Sequence, residues 1–140
     1  MSEIVCGDPV IDKWVAHNLG IRPWSESYSI ANVKDRRILG ASVLHNWYPE
    51  TGVIEITSYG ETPSWMSRKM IQTVFGYAFD ILGCQLIALR ISEHNDRMLN
   101  IARRLGFNLY TIPRLRGRVE DEVIATLTDD DWLKSRYRSQ

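Results

Sequence analysis

The apolar pattern of this chain changes period near residue 64, and that switch limits the folds open to it. Before it, residues 28–33, 38–47 and 53–57 are short stretches, alternating or rich in small and β-branched residues. Period two is the pattern of a strand with one buried face. Polar turns separate these stretches, LysAspArgArg at 34–37 and ProGluThrGly at 49–52, so a meander of three antiparallel strands is expected. After the switch, Met66, Met70, Val74 and Ala78 recur every four residues, with Ile71, Phe75 and Leu82 beside them. This predicts an amphipathic helix over 64–82, stopped at Gly83.

LeuIleAlaLeuArgIle at 86–91 is a nearly continuous apolar run suited to a buried strand, and Met98, Ala102 and Leu105 mark a helix over 95–105 closed by Gly106. Residues 107–112 and 123–127 pair as a closing hairpin around ArgLeuArgGlyArg. At the start, Asp8 as N-cap and Pro9 at the first helical position predict a short helix over 9–18, ended by Gly20. The expected order is helix, three strands, helix, strand, helix, two strands. That is an α/β (α+β) class with a mixed central sheet and flanking helices.

A length of 140 residues suits one domain, 1–140. Seventeen Lys+Arg balance seventeen Asp+Glu, which argues against a general nucleic-acid binder, since backbone affinity rests on a basic surplus. Cys6 and Cys84 form no CxxC pair or zinc spacing, so no metal site is expected. Acids stand where a signal peptide carries basic residues, and charges interrupt every apolar segment. A cytoplasmic protein with reduced thiols and no membrane partner is the expectation.

Asn95 through Leu105-Gly106-Phe107 resembles the Asn-x-x-(Ser/Ala)…Leu-Gly-Phe segment of the GCN5-related N-acetyltransferases (the GNAT superfamily). The following strand, polar turn and AspGluValIleAlaThrLeu resemble the closing hairpin of the ribosomal-protein N-acetyltransferase-like subgroup. Pro63-Ser64-Trp65 is similar to a Pro-x-Trp element of short phage-encoded members, which would place the chain in a host cytoplasm. The likeness covers 38–132 well and 1–37 weakly. It implies a GNAT-like acyl-CoA N-acyltransferase fold, its sheet splayed open between the fourth and fifth strands. It implies acetyl-CoA as donor, with coenzyme A released, and a small-molecule or protein amine as acceptor. Many relatives form homodimers. The N-terminal region is shorter than is usual in the family, which implies a more open acceptor cleft.

The resemblance also implies site residues. Glu55 matches a general base on the central strand. The main chain of Ile56, Thr57, Ser58 and Tyr59 matches the carbonyl-polarising segment, and Asn95 matches the asparagine that meets the pantetheine arm. The pyrophosphate would lie against 60–69, where Ser64, Ser67, Arg68 and Lys69 offer hydroxyls and charge and Trp65 lines the mouth. This region lacks the paired glycines of the family loop. Ala102 stands where the family places its tyrosine acid, leaving Tyr59, Tyr110 or water for that role. His45 reads first as a core or rim histidine. Two rivals remain: a non-catalytic GNAT-fold binding protein, and a phage-type nucleic-acid base-modifying acyltransferase. The second predicts a basic face gathering Arg103, Arg104, Arg114, Arg116, Arg118, Arg136 and Arg138.

Overall fold

A computed structural model of the chain describes residues 2–138. It contains a seven-stranded mixed sheet ordered β1-β2-β3-β4-β5-β7-β6. Strands β2 (Ser27–Lys34), β3 (Arg37–Tyr48) and β4 (Val53–Gly60) form the expected meander, each antiparallel to the last. β5 (Leu86–Ser92) lies parallel to β4, a pairing that requires a crossover. β7 (Glu122–Thr128) inserts between β5 and β6 (Asn108–Ile112) and is antiparallel to both.

The sequence reading missed β1 (Glu3–Cys6), which pairs with β2 along the sheet edge. Four residues on a half-exposed edge are too few to show a period. With β1 counted, the strands that part are the fourth and fifth of the chain; in the sequence reading they were the third and fourth.

Helix α1 (Pro9–Leu19) forms as its caps dictate. The Asp8 carboxylate accepts from the Val10 amide at 3.0 Å, and Gly20 closes the helix in the left-handed region at φ 69°. Its apolar side, with Ile11 and Val15, covers Ala31, Ala41 and Val43 on one sheet face. The larger core lies on the other face, where α2 (Arg68–Gly76) and α3 (Asp96–Arg104) bury Met70, Val74, Phe75, Leu99 and Ala102 against β4, β5 and β7. The acidic run at 129–131 forms a short helix, α4 (Asp129–Leu133), capped by Thr128. Its Trp132 packs edge-on to Phe75 and stacks with Phe79.

The long helix differs from expectation at both ends. It begins at Arg68 rather than residue 64, with the Ser67 hydroxyl accepting from the Met70 amide at 3.2 Å. Trp65 is the reason. It is only 1% exposed and seats its indole where Gly40 of β3 and Gly60 of β4 lie side by side. A Cβ on Gly40 would stand 2.3 Å from the indole, and one on Gly60 2.0 Å. Asn32 fixes the loop from below, donating to the Trp65 carbonyl at 2.9 Å. A chain held this way cannot also wind into the helix. At the far end, Tyr77–Ile81 widen into a π-helical turn, with the Leu82 amide reaching the Tyr77 carbonyl at 2.9 Å. Apolar spacing of four outruns the 3.6-residue turn, and a wider turn restores the stripe to the core. Tyr77 then stacks on Tyr28, centroids 4.5 Å apart. Among the described residues, no helix is long and apolar enough to cross a membrane.

The Trp65 seat generates a stability test. Trp65→Ala should cost about 3–5 kcal/mol, and Gly60→Ala about 1–3 kcal/mol through overpacking. The Gly60→Ala cost should largely vanish in the Trp65→Ala background, because the clash it creates is with the indole. Urea unfolding of the two single variants and the double measures this; additive costs would refute the seat.

Candidate active site

β4 and β5 share only three residue pairs, Val53↔Leu86, Ile54↔Ile87 and Glu55↔Ala88. Beyond these the strands part, β4 staying with β3 and β5 with β7. Neither strand has a neighbour on the side facing the other. The split opens into a cavity of about 330 Å³ lined by Glu55, Ile56, Thr57 and Ser58 from β4 and by Leu89 to Ser92 from β5. The start of α3 adds Asn95 and Met98. Five of the expected site residues, Glu55, Ile56, Thr57, Ser58 and Asn95, therefore meet in one place.

Their side chains are differently engaged. Glu55 projects on the α1 side of the sheet and accepts from Asn46 Nδ2 at 3.1 Å. Ile56 points into the larger core, so only its main chain can serve the cavity. Ser58 is bonded to Ser42 at 2.8 Å. Asn95 caps α3, its Oδ1 accepting from the Met98 amide at 3.2 Å, and its amide group remains for a second partner.

Tyr59 sits edge-on to Trp14 of α1, centroids 5.4 Å apart, and is not among the residues lining the split. The phosphate-end residues also differ from expectation. Trp65 lines no mouth, because its indole is enclosed by protein. Ser64 is exposed ahead of the helix, and Ser67 spends its hydroxyl as the N-cap. Arg68 donates to the Arg136 carbonyl, with Tyr137 under its guanidinium. Lys69 is exposed on the first turn. That turn still presents backbone N–H groups that the helix itself cannot pair, a general anion-binding feature.

The cavity also draws in residues that sequence reasoning set aside. Leu19, Ile21 and Trp24, from the end of α1 and the segment after it, close over one side. This corrects the open cleft expected from a short N-terminal region. Trp24 stacks on His45, centroids 5.1 Å apart and planes 29° from parallel. His45 is 8% exposed and directly opposite Glu55. Its Nε2 is 2.7 Å from Thr57 Oγ1, while its Nδ1 is buried without a partner. Burial pushes the imidazole below its ordinary value, partly opposed by the Glu55 carboxylate.

Arg90 and Arg116 form the remaining wall. Arg90 Nε donates to both oxygens of Glu122 at 2.9 Å, and Glu122 is 1% exposed. Arg116 pairs with Glu120 at 3.2 Å and approaches Glu122 at 3.7 Å. These pairs pin the β6–β7 connection to β5. They also divide the arginines: Arg104 and Arg136 share a groove beside the start of β6, whereas Arg116 lies beyond its other end. The seven do not form one basic face.

No protein-family model and no curated protein sequence matches the chain. Solved structures do. A variant of the spermidine N-acetyltransferase of Vibrio cholerae superposes with a TM-score of 0.75 at 13% identity, over 94% of this chain and 96% of that one. A protein assigned as an acetyltransferase from T. thermophilus gives 0.68 at 18% identity, over 85% and 68%. Another so assigned gives 0.70 at 17% identity over 85% of this chain, which spans 66% of its length. The fold is that of the GNAT acetyltransferases. The parted strands are the feature that GNAT resemblance placed at the cofactor, and they occur here at Glu55 and Ala88.

The His45 environment sets a pH test. An imidazole held below its unfolded value means that the folded chain binds fewer protons. The associated stability is complete above about pH 6.5 and declines as the pH falls toward the folded value. His45→Gln should flatten the loss of unfolding free energy between pH 7 and 5. Parallel profiles for variant and parent would show that the ring is not held neutral.

Proposed function

We propose that the chain transfers an acetyl group from acetyl-CoA to a primary amine on a small molecule. The observation that carries this reading is the split itself, with a carboxylate at its closed end and a capping asparagine across it. Two unpaired strand edges offer amide N–H and C=O groups to an extended arm bearing amides of its own. Asn95 fits the same arm with its free amide group. The phosphates would meet the first turn of α2, helped by Lys69 and, if the C-terminal contact opens, Arg68. Bound acetyl-CoA supplies the activated thioester. Amides of the 56–59 segment would polarise its carbonyl, the arrangement that stabilises developing negative charge. Glu55, steadied by Asn46, would take the proton from the attacking amine, and the departing CoA thiolate would take its proton from solvent. Leu19, Ile21 and Trp24 flank the cavity and favour a small acceptor over a polypeptide segment. The named acceptor of the V. cholerae neighbour, spermidine, points to the same class.

One set of observations favours a second reading, in which the fold binds without turnover: Ala102 in place of a tyrosine, and Arg68 engaged by Arg136. Thermal unfolding with millimolar acetyl-CoA separates the two in stages, with desulfo-CoA and ATP as controls. A ligand at a hundred times its dissociation constant adds about 2.7 kcal/mol, several degrees at this size. A shift with acetyl-CoA and not with ATP is expected. No shift at millimolar ligand would sink acetyl transfer and favour a repurposed fold that holds no acetyl-CoA.

Turnover is then read from thiol release with a panel of small amines. Glu55→Gln should lower kcat/KM about 10²- to 10⁴-fold while leaving the acetyl-CoA thermal shift intact. An unchanged kcat/KM would remove Glu55 from the chemistry.

A further inference from the structure

Main-chain amides are the groups named so far for the charge that develops at the thioester oxygen, and the structure places a side-chain hydrogen-bond donor beside them. We infer that the Thr57 hydroxyl is that donor, aimed into the split by His45. This deepens the acetyltransfer reading and rests on it.

Thr57 lies two residues past Glu55, the last position at which β4 still pairs with β5. It faces the cavity where the strands have just parted. Its oxygen is 2.7 Å from His45 Nε2. The direction of that bond follows from the other side of the ring. His45 Nδ1 is enclosed and has no hydrogen-bond partner. A proton there would be a buried N–H with nothing to donate to, whereas a bare nitrogen leaves only a lone pair unused. The proton therefore sits on Nε2 and is donated to Thr57 Oγ1. With its oxygen already accepting from the ring, the hydroxyl is free to donate its own hydrogen to a group in the cavity.

The scaffold holds this arrangement from several sides. Trp24 stacks on the ring and fixes its plane. Glu55 is directly opposite on β4, and Asn46 ties that carboxylate down. The charged residues lining the two cavities that His45 borders are Glu55 on β4, Arg90 on β5 and Arg116 from the β6–β7 connection in one, and Glu26 from the segment before β2 in the other; of these, Glu55 acts on the ring. From the cover segment 19–24, Leu19, Ile21 and Trp24 line the cavity, and Arg22 is exposed. Burial keeps the ring neutral at neutral pH, and protonation would leave the Nε2 donor in place. Thr57 makes a hydrogen bond to the developing charge and transfers no proton. His45 acts only through Thr57 and is a positioning residue.

Two measurements test this, one of them independent of turnover. Long-range ¹H–¹⁵N spectra of the apo protein should show His45 as the Nε2-protonated neutral tautomer near pH 7. An Nδ1-protonated ring would overturn the proposal alone, whatever the chain catalyses. In thiol-release assays, Thr57→Val should lower kcat about 10²- to 10³-fold, the usual loss for one such donor, with the acetyl-CoA thermal shift retained. Thr57→Ser should keep most of the rate. His45→Leu should fall toward Thr57→Val, and the double variant should be no worse than either. A Thr57→Val rate within threefold of the parent would overturn the donor role. Absence of both a thermal shift and thiol release in the parent chain would overturn that role together with acetyltransfer itself, and leave the tautomer result standing.

Discussion

Two strands that begin as parallel partners and then lose each other set the character of this molecule. Backbone amides and carbonyls buried without partners are costly, so an opening in a sheet persists only where each parted strand is secured on its other side. Here β3 secures β4 up to Gly60, and β7 secures β5 up to Ser92. The insertion of β7 between β5 and β6 is therefore what lets β5 leave β4. The buried Glu122 carboxylate on β7, gripped by Arg90 of β5, reinforces that pairing near the open end. A buried ion pair is weak evidence for net stability. Its geometry does, however, tie β5 to β7 on the side away from β4.

The second device is Trp65. A large indole laid across two adjacent glycines anchors the connection between β4 and α2, and the helix start is displaced to Ser67 in consequence. The chain lacks, in this segment, the paired glycines of the family loop. The glycines it has, Gly40 and Gly60, serve the tryptophan rather than a phosphate. What remains for an anion is a plain helix start with Lys69 beside it and Arg68 turned toward the C-terminal segment. Charge, rather than close backbone approach, would carry that end of the site.

Much of this was legible in the sequence because it depends on local pattern. The meander, the strand–helix–strand unit, the capped helices and the closing hairpin follow from period, turn residues and caps, and Asn95 and Glu55, named from the family likeness, both line the split. The failures share one cause: they depend on contacts between segments far apart in the chain. Edge strand β1 is too short to show alternation and is defined by β2. The late start of α2 depends on Trp65 meeting glycines from two strands. The cover of the cavity by Trp24 depends on where α1 packs, which a weakly patterned segment does not announce.

His45, a buried histidine on the face of Ala41 and Val43 as its alternation predicts, owes its partners to the register of the sheet. Continued strictly from the pair Tyr48↔Val53, the β3–β4 ladder would set His45 opposite Ile56, on the side of the larger core. The register instead shifts between His45 and Tyr48, with Asn46 in the left-handed region at φ 50°, and His45 falls opposite Glu55. One extra residue in one strand exchanges the faces of everything beyond it. Bulges beside active sites are known to re-aim a side chain. This one sets a buried imidazole beside the split, opposite Glu55. Asparagine tolerates the positive φ that such a turn of the chain demands, and the same Asn46 steadies Glu55 with its side chain. A single residue thus sets both the register that brings His45 to Thr57 and the orientation of the carboxylate beside them. The strain at Asn46 is tied to the geometry of the site rather than to the stability of the sheet.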